Sequence, residues 1–258
     1  MEKLIVVKVG GKVVDDTVAL EQLISDFSAI KGRKVLVHGG GVVATQVASK
    51  LGIKTTMVNG RRVTDDKMIQ VVTMVYGGLA NKRLVALLQA RRQHALGLTG
   101  ADLGVILSRK RPVTDGVDYG WVGDPVQVNA DVLSALIERG VVPVMAPLTH
   151  DGQGHLLNTN ADTIAAQVAM ALASRYEVTL VYCFEKRGVL LNEADDDSVV
   201  PRLTHKQFEV MRETGIIKGG MIPKLDNAFA TLKAGVARVV ITKASALNDL
   251  TQGTHIAR

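Results

Sequence analysis

Apolar and polar positions along the N-terminal part of the chain alternate between a strand-like and a helix-like period. Leu4-Ile5-Val6-Val7-Lys8-Val9 is a strand-length apolar run interrupted by one lysine and ended by Gly10-Gly11. Leu20, Leu23, Ile24, Phe27 and Ile30 then recur at helical spacing, after Asp15-Asp16, which can cap the helix start. The unit repeats: Lys34-Val35-Leu36-Val37-His38 reads as a buried strand, runs into Gly39-Gly40-Gly41, and a helix-forming segment over 42–51 follows at once. A βαβα order calls for a parallel sheet. Right-handed crossovers place both glycine turns on the same edge of it.

Residues 54–64 are polar and contain Asn-Gly, which puts Arg61 and Arg62 on a loop or hairpin, and a long helical region over 68–92 follows. Short apolar runs broken by Gly, Asp and Pro predict a hairpin-rich excursion over 95–128. A helix over 131–139 is closed by Gly140, and 141–146 is the next core strand. Pro143 within it argues for an edge or irregular position. From Asn158 the pattern restarts, with a helix over 161–174, a strand over 178–183, a turn at Gly188 and a helix over 204–213. Gly219-Gly220-Met221-Ile222-Pro223-Lys224 opens another helix, with Pro223 in its first turn, and a strand over 237–242 closes the pattern. No linker, low-complexity segment or tandem repeat interrupts the chain. The expectation is an α/β fold with two lobes, 1–175 and 176–258, sharing one continuous, mainly parallel sheet.

Composition changes this picture little. A chain of 258 residues can bury a substantial core, and its apolar runs fall short of the ~18 residues a membrane span needs. The start shows no signal-peptide pattern, and the single Cys183 cannot form an internal disulfide, so a cytoplasmic protein away from membranes is expected. The net charge of +6 is densest at Arg91-Arg92 and Arg109-Lys110-Arg111, which lack the interleaved aromatics of a single-strand binder. These clusters read as a solvated face with a weak attraction for anionic metabolites, and no nucleic-acid partner is expected.

The candidate chemistry lies at the glycine turns. Three glycines between a strand and a helix start bring bare amides to a ligand, where roughly half a positive charge favours an anion. Residues 39–44 also fit the dinucleotide pattern G-x-G-x-x-A, but the acidic residue expected about twenty positions on is missing. His38 beside the glycines resembles an esterase oxyanion loop, yet no G-x-S-x-G elbow and no Walker A sequence occurs. Lys8 breaks a buried strand just before two glycines, which is costly unless its ammonium points into a crevice. Lys224 follows Gly219-Gly220 at a helix start; alone it also reads as a surface lysine. Two lysines on glycine turns suit a phosphoryl group. In Asn158-Thr159-Asn160-Ala161-Asp162, N-capping by Asn160 accounts for part of the pattern, while the density of hydrogen-bonding groups exceeds what a cap requires.

Lys8-Val9-Gly10-Gly11, Val37-His38-Gly39-Gly40-Gly41, Asn59-Gly60-Arg61-Arg62-Val63-Thr64, residues 158–162 and residues 219–224 occur in the order and spacing of acetylglutamate kinases. Over essentially its whole length the chain resembles these members of the amino acid kinase superfamily. Gly120-Trp121-Val122-Gly123-Asp124 and residues 140–144 also look like the family. The resemblance implies a three-layer sandwich around the central sheet, and transfer of the γ-phosphoryl group of ATP to the side-chain carboxylate of an N-acylated glutamate in arginine biosynthesis. A carboxylate is already ionised at neutral pH, so such a transfer needs positioning and charge neutralisation and no general base.

By resemblance, Lys8 and Lys224 neutralise the phosphoryl oxygens and Asp162 holds both ammonium groups. Gly40, Gly41, Arg62, Asn158 and Asn160 bind the amino acid, with Arg62 as carboxylate clamp. Gly10, Gly11, Glu185, Lys186, Gly188, Leu190, Ile216 and Lys218 bind the nucleotide, and Mg2+ bridges ATP phosphates and waters without a protein cage. The alternatives are a kinase for another carboxylate, such as an N-succinylglutamate or aminoadipate derivative, or a non-catalytic nucleotide-binding regulator. The presence of Lys8, Asp162 and Lys224 speaks against the regulator. The chain departs from its relatives at residues 183–190, where Phe184, Glu185 and Lys186 replace the common Thr-Asp-Val. Arginine-inhibited relatives carry an extra N-terminal helix that links dimers into hexamers; here three residues precede the first predicted strand, so a homodimer insensitive to arginine is expected.

Overall fold

Parallel pairing of the two N-terminal apolar runs sets the middle of the molecule. In a computed structural model describing residues 1–58 and 60–258, strand Lys3–Val9 lies between Arg33–His38 and Glu177–Phe184, parallel to both. The eight-stranded sheet runs in the order Arg202–Thr204, Thr254–Ala257, Arg238–Lys243, Glu177–Phe184, Lys3–Val9, Arg33–His38, Val142–Met145, Ala95–Leu98. One pairing is antiparallel, Arg238–Lys243 with Thr254–Ala257.

The strand period of two decides what each face meets. Leu4, Val6, Val35 and Val37 pack with the helices Ala161–Leu172, Met221–Lys233, Ala130–Glu138 and His205–Glu213 on one face. Val7, Val9 and Leu36 pack with Thr17–Ala29 and Asn81–Ala90 on the other. Both faces of the inner strands are therefore buried, and the three layers follow from near-continuous apolar runs. Lys8 shares the face of Leu4 and Val6, and His38 that of Leu36.

Helix boundaries follow local caps. Asp16 accepts from the amides of Val18 and Ala19, and Thr204 with Gln207 forms a capping box at the start of His205–Glu213. A short helix, Gly11–Asp15, absent from the sequence reading, begins at the first glycine turn. The predicted helical region is one run of three parts, Asp66–Val72, a π-helical stretch Thr73–Ala80, and Asn81–Ala90. At 25 residues, Asp66–Ala90 is the exception to the short apolar runs, long and apolar enough to cross a membrane. Its Met68, Val71, Val72, Leu84 and Leu88 are instead buried in the fold.

Two expectations are corrected. Ala95–Leu98 belongs to the central sheet as its edge strand, while the excursion proper begins later and forms a four-stranded sheet from Leu156–Asn158, Leu148–His150, Ile106–Lys110 and Gly123–Val128. The strand carrying Pro143 is not at the edge but second from it. Val142 and Ala146 donate to His94 and Leu98, so the nitrogen of Pro143 faces Arg33–His38, whose pairing starts only at Leu36↔Val144. No ladder bond is lost there. Arg61–Arg62 pairs with Met57–Val58 as a hairpin. Asn59, the first residue of that motif, lies outside the described residues.

Candidate active site

The two inner strands deliver their glycine turns to one sheet edge, where bare backbone meets bare backbone. Gly39 N–H donates to the carbonyl of Val9 at 3.1 Å. A Cβ on Gly11 would stand 3.4 Å from the amide nitrogens of Gly40 and Gly41, and one on Gly39 only 3.2 Å from that of Gly11. Side chains here would force the turns apart, which explains glycine on both sides of the contact. Gly41 opens the helix Gly41–Lys50, so its amides sit at a positive helix end.

The face assignment of Lys8 carries its side chain toward the first turn of Ala161–Leu172, where Asn160 caps the helix by accepting from Asp162 and Thr163 amides at 2.7 and 3.3 Å. Nζ of Lys8 stands 2.6 Å from Oδ1 of Asp162, with the two side chains 8% and 11% exposed. Lys224, in the first turns of Met221–Lys233, holds its Nζ 3.9 Å above the centre of the Phe184 ring, and Lys8 approaches the same ring at 5.1 Å. Burial lowers the pKa of Lys224, Asp162 opposes that shift and Lys8 adds to it. Among the described ion pairs Asp162 contacts Lys8 alone; it acts on Lys224 through space.

Beside these groups opens a cavity of about 380 Å³. Gly10, Gly11, Glu185, Lys186 and Gly188 line it together with Lys8 and Lys224. Leu190, Ile216 and Lys218 stand apart from it: Leu190 bridges to Val199, Ile216 is exposed, and Lys218 Nζ lies 3.9 Å from Glu193. Lys12, which the sequence reading passed over, lines the cavity and pairs with Glu185 at 2.9 Å. Lys186 pairs with Asp196 at 2.7 Å and Arg187 with Asp197 at 2.9 Å. These pairs are exposed, so solvent screens them and they hold their loops only weakly.

Across the glycine contact lies a second cavity, of about 210 Å³, and here Gly40, Gly41, Arg62, Asn158 and Asn160 come together. Arg62 is buried and donates from Nη2 to the Gly41 carbonyl and to Thr45 Oγ1, both at 2.8 Å, and from Nη1 to Thr55 Oγ1 at 3.2 Å. Asn158 donates to Thr64 Oγ1 at 3.0 Å, which in turn donates to the Arg62 carbonyl. Tyr76 and Arg61 also line the cavity, and neither had been given a role.

Below the glycine turn His38 is fully buried, and burial pushes its pKa down to about 4. The neutral ring donates from Nδ1 to the Gly39 carbonyl at 2.8 Å, which leaves Nε2 to accept from Asn81 Nδ2 at 3.1 Å. Asn81 spends its other amide hydrogen on the Val144 carbonyl at 2.9 Å. His38 thus props the turn and is not a base. Among the described residues no three or more His, Cys, Asp or Glu side chains gather into a metal-binding group. Two cavities on either side of a contact between bare amides, the larger lined by the buried ammonium of Lys8 and the half-buried one of Lys224, can pass an anionic group from one to the other.

Residues 3–243 match the profile of the Amino acid kinase family. The acetylglutamate kinase of Bacteroides thetaiotaomicron is 62% identical over 257 residues, covering 100% of this chain and 99% of that protein. That of Parabacteroides distasonis is 59% identical over 256 residues, covering 99% of this chain and 100% of its own. In three dimensions the chain is similar to a Streptococcus mutans protein, with a TM-score of 0.81, 29% identity and 98% of each chain covered.

Proposed function

Because this chain belongs to the amino acid kinase family, and within it to the acetylglutamate kinases, we propose that the two joined cavities carry phosphoryl transfer from ATP to the side-chain carboxylate of N-acetyl-L-glutamate. The protein is a phosphotransferase with a carboxyl acceptor, acting in arginine biosynthesis. The observation that carries the site assignment is the contact of the two glycine turns beside Lys8, Asp162 and Lys224.

The nucleotide occupies the larger cavity, with its phosphates over the Gly10-Gly11 amides, and the amino acid occupies the smaller one. The acceptor carboxylate is ionised, so no base is needed; His38, neutral and fully hydrogen-bonded, supplies none. As negative charge moves onto the phosphoryl group in flight, the ammonium groups of Lys8 and Lys224 neutralise it, and Asp162 fixes Lys8 by direct contact and Lys224 by its field. Glu185 and Asp162, the carboxylates nearest the nucleotide, already pair with Lys12 and Lys8, which does not fit a resident magnesium site. The ion arrives with the nucleotide as part of the substrate. Gly10, Gly11, Glu185, Lys186 and Gly188 hold the nucleotide; Leu190, Ile216 and Lys218 reach it only if the exposed pairs of their loops rearrange. In this reading 1–175 forms the amino-acid lobe and 176–258 the nucleotide lobe of a cytoplasmic enzyme. A homodimer is supported by the free edge of Ala95–Leu98, on which Leu96 is exposed, and by the exposed Met74 and Leu79 elsewhere on the surface.

One observation favours a second acyl group. Arg61 lines the amino-acid cavity, and burial and the nearby Arg111 lower its pKa while Asp124 opposes them. A cation so placed suits an acyl group carrying its own carboxylate, as in N-succinyl-L-glutamate. Purified protein with Mg-ATP is offered N-acetyl-, N-succinyl- and free L-glutamate, and the acyl phosphate is trapped with hydroxylamine. Hydroxamate from either acylated substrate and little from free glutamate is expected; none from any of them overturns the kinase reading.

A further inference from the structure

The amino-acid cavity has a wall to which the kinase reading assigns no task. Tyr76 lies in the π-helical stretch Thr73–Ala80, and such wide turns occur disproportionately at functional sites. One edge of its ring lies against the glycine turn: a Cβ on Gly40 would stand 3.0 Å from ring Cδ1 and 3.2 Å from Cε1. Its hydroxyl comes to the same spot as the guanidinium of Arg62. A Cβ on Gly41 would stand 3.9 Å from Arg62 Nη2 and 4.0 Å from Tyr76 Oη, so the two polar groups bound one small space above Gly41. The next residue after the π stretch, Asn81, is tied to His38 under the same turn. The segment carrying Tyr76 is thereby anchored under the glycines that its ring touches.

Arg62 has no Nη2 hydrogen left for an incoming oxygen as it stands. Both Nη2 hydrogens serve Gly41 and Thr45, and Nη1 serves Thr55. The phenol is a neutral donor at neutral pH, where the carboxylate is ionised, because burial raises its pKa and the opposing effect of Arg62 is smaller. Resting on the kinase reading above, we infer that Tyr76 Oη donates a hydrogen bond to an oxygen of the bound N-acylglutamate, beside Arg62, and so helps determine affinity for the amino acid. The hydroxyl is a binding group; it takes no part in moving the phosphoryl group.

Tyr76→Phe keeps the ring on Gly40 and removes only the donor. The Kd for N-acetyl-L-glutamate and N-succinyl-L-glutamate, by calorimetry without nucleotide, and the KM and kcat for whichever the wild type turns over, are measured on both proteins. A tenfold rise in Kd and KM for the acylated amino acid is expected, with the KM for ATP, kcat and the melting temperature unchanged. A change of less than threefold in a wild type that turns over, or an equal rise in both Michaelis constants, overturns the role of Tyr76 and leaves the kinase reading standing. A wild type that neither binds nor phosphorylates either acylated glutamate overturns both.

Discussion

On the side of the Gly11–Gly40 contact proposed to take the amino acid, Arg62, Asn158 and His38 are buried and hydrogen-bonded, whereas on the side proposed for the nucleotide Lys12, Glu185 and Lys186 pair in the open. The first arrangement is preorganised: low local dielectric makes its bonds strong and its loss costly. The second exchanges partners cheaply, because solvent already screens each pair, and phosphate oxygens can replace Asp196 on Lys186 or Glu185 on Lys12. Under the proposed assignment a specific acceptor meets a rigid pocket, and a highly charged donor meets an adaptable rim.

Lys8, at the junction of the two regions, tests the comparison most severely. Lys8→Ala should lower kcat by roughly 10³-fold, about 4 kcal/mol, with smaller changes in either KM. Because this variant leaves the Asp162 carboxylate buried without its contact, its melting curve is recorded alongside, and Lys8→Arg should lose nearly as much activity while keeping the charge. A kcat within tenfold of wild type in folded Lys8→Ala would take the junction out of the mechanism. His38 tests the rigidity of the amino-acid side. Its pKa is about 4 when folded and near 6.5 when unfolded, so the unfolded chain binds more protons as pH falls between those values. Stability should therefore be intact above pH ~6.5 and drop by roughly 3 kcal/mol toward pH ~4, and His38→Gln should lack that component in denaturant titrations.

Smaller effects separate the two sides further. Arg62→Ala should raise the KM for the acylated glutamate about thirtyfold, roughly 2 kcal/mol, and leave the KM for ATP nearly alone. Equal effects on both would mean that the glycine turn is one site and not a boundary. Lys186→Ala should change the KM for ATP by less than about threefold, an effect that vanishes near ~0.5 M salt. A large, salt-resistant loss would show the nucleotide rim to be as preorganised as the other cavity.

How far the chain could be read in advance depended on the range of the forces involved. Strands 3–9 and 33–38 announce themselves through apolar runs, and Lys8 through the cost of a lysine in such a run. Tyr76 did not, since a tyrosine in an apolar helix looks like a core residue and a π turn carries no periodic signature. Ala95–Leu98 was missed because a four-residue run containing Gly97 is weak by itself; it becomes a strand by pairing with Val142–Met145. Gly97 is explained only by what faces it, since a Cβ there would overlap Asn81 Oδ1.

By itself the sequence determined the alternation of strands and helices, the parallel sheet and the two glycine turns on one edge, because hydrophobic period, capping and crossover handedness are local or chiral properties of the chain. Tertiary structure alone decided which polar groups share a space. Lys8 and Asp162 are joined across most of the chain, Tyr76 and Arg62 converge over Gly41, and Leu190, Ile216 and Lys218 remain outside the cavity beside Lys186. Such meetings depend on how layers pack and loops close, where a shift of a few ångströms separates a hydrogen bond from none.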